Sequence, residues 1–300
     1  MKINRWIAAV LVLAGPWASG QESEEVNDIL DIELVNTLVP IATDRPNITE
    51  SAQITPMGWL QYEGGFQFSR TQESFGAQEL RNRNQIEELI RFGISERFEV
   101  RAVINANTEG ITSLGIVGPL RRTGVEPVAV GFKYNLLEET SSLPHLTWMS
   151  KIRLPWLVAG DYVAQYQSNV VFHEQRLLLQ KDLTRRLSVS SNLGISGGLM
   201  GSNGYISDGM FSFSTSYDLG RDFGVYVEYF SEFLVAGTQF YATPYVDFGC
   251  TKLLSNDLQI DLYAGRDLST ELGARLPISG FFFGTGISYR FPLAAYLTSL

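Results

Sequence analysis

From Phe211-Ser212-Phe213-Ser214-Thr215 to Ser216-Tyr217-Asp218-Leu219, large apolar or aromatic side chains alternate with small polar ones. Side chains of a strand point to opposite faces in turn, so such a segment separates an apolar environment from a wet one. Segments of this kind recur about a dozen times, with turn residues between them. Behind an export signal, that recurrence predicts an antiparallel transmembrane β-barrel of the outer-membrane type.

The export signal is the stretch 1–20: Lys2 and Arg5, an apolar run from Trp6 to Ala14, then Ala18-Ser19-Gly20 as a small-residue cleavage site. The alternative, a membrane anchor, needs about 20 apolar residues, and this run is shorter. Removing the leader leaves 21 basic against 32 acidic residues. An acidic chain lacks the basic face that nucleic acid demands. One cysteine, Cys250, excludes disulfide stapling. Two histidines, His145 and His173, and the lack of a CxxC pair offer no metal-ligand spacing, so neither metal nor cofactor is expected.

Residues 21–56 are acidic and irregular, with a short helix predicted over Ile29 to Leu38 and an extended piece bracketed by Pro40, Pro46 and Pro56. The barrel is predicted over 57–291, followed by an extension, 292–300. Trp59 to Ser69 sets Leu60, Tyr62, Phe66 and Phe68 against Gln61, Glu63 and Gln67. A second, less regular strand, 84–95, has Ile90, Phe92 and Ile94 on one face. Further alternating runs start at Phe98, Val128, His145, about residue 168, Leu187, Phe211, Phe223, Val246, Leu258 and Phe281, making twelve. Connections at Ser95–Arg97, Asp182–Arg186, Gly220–Asp222 and Ser255–Asp257 are short, whereas 70–82, 109–124, 157–167, 201–208, 235–241 and 269–279 are longer. That alternation fits short periplasmic turns and long external loops, and an even strand count leaves both termini periplasmic. A soluble sandwich or lipocalin also alternates its faces. Connection lengths favour the membrane barrel, as do aromatics near strand ends (Trp59, Tyr134, Trp148, Trp156, Tyr217, Tyr229, Phe291) that suit interfacial girdles.

Thr43-Asp44-Arg45-Pro46-Asn47-Ile48-Thr49-Glu50-Ser51 runs into Pro56-Met57-Gly58 and Gln61-Tyr62-Glu63-Gly64-Gly65. This resembles the opening of the transporter family named for the meta pathway of phenol degradation, which reads T-D-R-P-x-x-T-E-S, then P-x-G, then Q-x-E-x-G. The end, Gly284-Thr285-Gly286-Ile287-Ser288-Tyr289-Arg290-Phe291, agrees, and the resemblance covers 41–291. It implies a channel-like barrel in the outer membrane of a Gram-negative bacterium, passing small molecules, hydrophobic or aromatic ones included. Expected partners are outer-membrane lipids, the barrel assembly machinery and a small-molecule solute.

Two alternatives stand beside transport. One is a lipid-modifying or lipid-hydrolysing barrel enzyme; the other is a structural or adhesive barrel. Gly194-Ile195-Ser196-Gly197-Gly198 matches G-x-S-x-G, yet lies inside an alternating strand instead of the strand–turn–helix a nucleophile elbow needs. No catalytic residue is assigned.

The inward charges Glu63, Glu99, Arg101, Lys133, Lys151, Arg153, Glu228, Glu232, Asp247, Asp261 and Arg290 form the expected lumen lining. They read either as a selectivity lining or as mutual ion pairs filling the interior. Asp44, Arg45, Pro46, Thr49, Glu50 and Ser51 mark a segment that either turns into the lumen as a plug or leads the chain in from the periplasm. As a plug, Arg45 would meet inward acids, while Asp44 and Glu50 would meet Arg101, Lys133 or Arg153, since buried charges must be paired.

Overall fold

A computed structural model of the protein describes residues 39–75, 77–114, 119–164, 171–199, 205–236, 239–268 and 278–293. The expected leader, the helix at Ile29–Leu38 and the tail from 294 lie outside the described residues.

The strands are β1 (Trp59–Phe75), β2 (Ala77–Ser95), β3 (Phe98–Leu114), β4 (Leu120–Val125), β5 (Ala129–Leu137), β6 (His145–Arg153) and β7 (Ala159–Gly160). After them come β8 (Phe172–Asp182), β9 (Leu187–Leu199), β10 (Tyr205–Asp218), β11 (Phe223–Ala236), β12 (Gln239–Ser255), β13 (Leu258–Asp267) and β14 (Ile278–Pro292). Twelve of them pair antiparallel around a closed wall, β1 joining β14 from Trp59↔Pro292 to Glu73↔Ile278. Closure leaves no free sheet edge in the wall, the requirement for a sheet in hydrocarbon. The short strands β4 and β7 stand outside that count: β4 pairs with the upper half of β3, and β7 with β4.

Alternation becomes geometry directly. The outer face carries Leu193, Ile195, Val227, Phe248 and Leu262, each more than half exposed. Their strand neighbours Asn192, Glu228 and Asp261 point inward and are buried. This inversion of the usual soluble pattern is what a lipid-facing wall demands.

Three expected loops are corrected. Residues 70–82 are largely β1 and β2 pairing to the hairpin tip at Phe75↔Ala77. Residues 109–124 contain the top of β3 and most of β4, and 235–241 fall largely within β11 and β12. A spanning strand needs about 9–11 residues, whereas β1, β3 and β12 have 17 and β2 has 19. Beyond the hydrocarbon both faces meet water, so the apolar alternation ends while backbone pairing continues.

A second correction concerns Trp59. It is buried, 3 % exposed, and its ring lies 5.2 Å beneath the Arg290 guanidinium. Its odd position in β1 sends it inward with Gln61 and Glu63, so it belongs to no outer girdle.

Candidate functional site

The segment from Pro40 to Gly58 crosses the lumen and both its ends lie beside short turns. Ile41 N–H donates to Asn256 O (2.7 Å), between β12 and β13, and Gly58 N–H donates to Gly93 O (2.9 Å), near the β2–β3 turn. Gly93 is needed there, because a Cβ would sit 2.1 Å from Pro56 O.

Inside the barrel, the walls differ in charge. Strands β2 to β8 supply Arg91, Arg101, Lys133, Lys151, Arg153 and Arg176 beside the acids Glu87, Glu99 and Glu174, while β10 to β13 supply Asp208, Glu228, Glu232, Asp247 and Asp261. The crossing segment is charged to match. Asp44 lies 2.7 Å from Lys133 Nζ, 2.7 Å from Arg101 and 3.6 Å from Arg91. Glu50 meets Arg101 at 2.7 Å, Lys151 at 3.2 Å and Arg176 at 3.4 Å. Burial opposes ionisation of both carboxyls. Arg91, Lys133 and Arg101 around Asp44 outweigh it and hold that carboxyl below its ordinary value. Arg101, Lys151 and Arg176 do the same around Glu50, more strongly.

On the opposite side, Arg45 reaches Asp261 at 3.4 Å and lies 5.8 Å from the centre of the Tyr263 ring. Its guanidinium fills a slot left by the cross-strand pair Gly65 and Gly286. A Cβ on either would fall 2.1 or 2.4 Å from Arg45 atoms. Glu228 accepts from the backbone N–H of Ile48 (2.9 Å) and Thr49 (2.5 Å), and from the Thr49 hydroxyl.

Glu63 and Glu99 complete the anchoring. Glu63 accepts from the backbone N–H of Asp44 and Arg45 at 2.9 and 3.0 Å, and Glu99 accepts from Thr55 N–H at 2.7 Å. Arg91 bridges the two acids, 2.9 Å from Glu63 and 2.8 Å from Glu99, and donates to the carbonyls of Ala42 and Gln53. Apolar contact adds to this where Ala52 packs in one buried cluster with Met149 and Leu178. Ser51 Oγ donates to Gln180 at 3.1 Å. With its amide oriented to satisfy both groups, Asn192 brackets the Glu50 backbone at 2.7 and 3.1 Å.

Of the residues singled out from sequence, Glu63, Glu99, Arg101, Lys133, Lys151, Glu228 and Asp261 contact the segment. Arg153, Glu232 and Asp247 instead line the cavity beyond it. Arg290 lies at the short-turn end, 2.7 Å from Asp257. The register sets Arg290 opposite Gln61 and Glu63 opposite Ser288. Sequence reading missed Arg91, Glu174 and Arg176. Arg91 alternates with Ile90 and Phe92, which would have placed it inside. Glu174 and Arg176 lie in β8, whose outer face carries His173 and Gln175 and so blurs the alternation. Ser196 sits mid-strand in β9, opposite Glu174 and Asp208.

Beyond the segment, toward the long connections, a cavity of about 660 Å³ opens, floored by Asp44, Arg45, Pro46, Asn47, Ile48 and Glu50.

The fold is similar to that of the COG4313 outer membrane channel from Pseudomonas putida F1, with 13% identity and TM-score 0.58 over 82% of this chain and 99% of that one. The translocator domain of autotransporter NalP from Neisseria meningitidis is similar at 10% identity and TM-score 0.53, over 89% of this chain and 96% of that chain. The beta domain of the Bordetella autotransporter BrkA is similar at 12% identity and TM-score 0.54, over 78% of this chain and 100% of that chain. At such identities the likeness is one of fold, a barrel of the outer-membrane kind. No curated protein matches the sequence. The family described as "Putative MetA-pathway of phenol degradation" matches residues 43–291, from the Thr43-Asp44-Arg45-Pro46 opening to the closing strand β14, and the chain belongs to that family.

Proposed function

We propose that this protein is an outer-membrane channel for small molecules, hydrophobic or aromatic ones among them, whose passage is set by the lumen-crossing segment 40–58. The observation that carries the reading is the matching of segment to wall: acids of the segment on the cationic wall, Arg45 on the acidic one. A structural barrel needs no such complementarity, because its interior charges can pair with one another. Here Arg101 and Lys133 reach their acids on the segment itself. The family and the fold of a known outer membrane channel support the same reading. The short turns face the periplasm in this account, so a solute arriving from outside enters the cavity and meets the segment as its floor.

Proteoliposomes test the proposal. Small aromatic solutes enter vesicles carrying the protein faster than protein-free vesicles, while phospholipid turnover by the same sample stays at background. Turnover without flux would replace the channel by an enzyme. Neither would leave a structural role.

A further inference from the structure

The cavity beyond the segment keeps charges that the segment does not neutralise. On one side Arg153, at the end of β6, lines the cavity and forms no ion pair within 4 Å among the described residues, unlike Lys151 and Arg176 beside it. Asp208 of β10 and Glu232 of β11 line the same cavity, likewise without an ion pair among the described residues.

Arg153 on one side of the water and Asp208 with Glu232 on another set up a transverse field. That field orients a solute carrying both signs and gives nothing to one carrying neither. The cavity is also lined by aromatic rings, Tyr263 of β13 and Phe282 of β14, with ring centres 6.3 Å apart.

We propose that this cavity is a binding site for a zwitterionic small molecule with an aromatic or apolar body. Its anionic group is held by Arg153, its cationic group by Asp208 and Glu232, and its body by Tyr263 and Phe282. The proposal rests on the channel reading and narrows its solute class, since purely hydrophobic molecules leave both walls unsatisfied. A volume of about 660 Å³ lies within the usual range for small-ligand pockets.

Three near-isosteres separate the terms: phenylalanine with both charges, 3-phenylpropanoate with the anion alone, and 2-phenylethylamine with the cation alone. Calorimetric titration of the detergent-purified full-length protein reads binding without requiring passage. Phenylalanine binds most tightly, by about tenfold or more over each single-charge analogue, the scale of one charge-assisted hydrogen bond. Arg153→Gln abolishes the preference for phenylalanine over the amine. The double change Asp208→Asn, Glu232→Gln abolishes the preference over the propanoate. Neither variant touches the segment's anchors, and each must retain the heat-modifiable folded band. Equal binding of all three analogues, no binding by any, or unchanged preferences in the variants would overturn the site. Flux of neutral solutes through vesicles judges the channel separately, so either reading can fail while the other stands.

Discussion

The Asp44 carboxylate and the Lys133 ammonium meet at 2.7 Å inside the barrel, 89 residues apart in sequence. Lys133 also donates to Ser51 O, at 2.8 Å, so one buried cation grips the segment at two points. Removing one partner of a buried pair leaves the other uncompensated, at about 3–5 kcal/mol. Lys133→Met therefore frees Asp44 partly and raises conductance, with Arg101 and Arg91 still in place.

Arg91 has the larger structural effect, because it joins Glu63 and Glu99 in the wall to the carbonyls of Ala42 and Gln53. Arg91→Ala leaves two buried acids sharing no guanidinium. The temperature at which the folded band converts on detergent gels falls, by the equivalent of about 3–5 kcal/mol.

Arg45 depends on glycine. Gly286→Val puts side-chain atoms where its guanidinium lies and drives it from the slot beside Asp261. Conductance rises while the barrel still folds. A variant with wild-type conductance would show that the Arg45 contact does not hold the segment.

The acid sensitivity of the segment follows from Asp44 and Glu50. Both carboxyls titrate below their ordinary values in the folded protein. Their contribution is complete above the unfolded values, near 4, and is lost as pH falls through the lowered folded ones. Conductance therefore rises below about pH 4, where the Asp44 and Glu50 contacts are lost.

Twelve wall strands were legible in sequence because hydrocarbon outside and polar groups inside impose a period of two. The same rule fails where its cause ends. Above the membrane, Arg70 and Thr71 of β1 pair with Asn82 and Arg81 of β2 without any apolar face, so pairing there left no hydrophobic signature. In β8 the outward Gln175 bonds Ser150 and the Trp148 indole, a polar cluster on the outer face that hid the inward Glu174 and Arg176. The segment's charges were readable, as were the wall charges, but which acid meets which cation depends on strand register. Arg153 and Arg101 look alike in sequence; only Arg101 stands at the segment's level.

Glu88 breaks the outer pattern. It alternates outward with Ile86 and Ile90, opposite Gly64 on β1 and Ile104 on β3, and forms no ion pair among the described residues. A lipid-facing charge destabilises a barrel, less for an acid than the roughly 2–4 kcal/mol of a midplane Arg or Lys. Glu88→Leu accordingly raises the denaturant midpoint in detergent micelles.

Conductance of the protein lacking residues 41–54 tests the central claim most directly. Planar-bilayer recordings compare it with the full chain, both shown to be folded by β circular dichroism and a heat-modifiable band. The account predicts a several-fold larger single-channel conductance in the deletion, since the segment floors the cavity and spans the lumen between its charged walls. Equal conductance in the two folded proteins would contradict it and leave the segment without a role in passage.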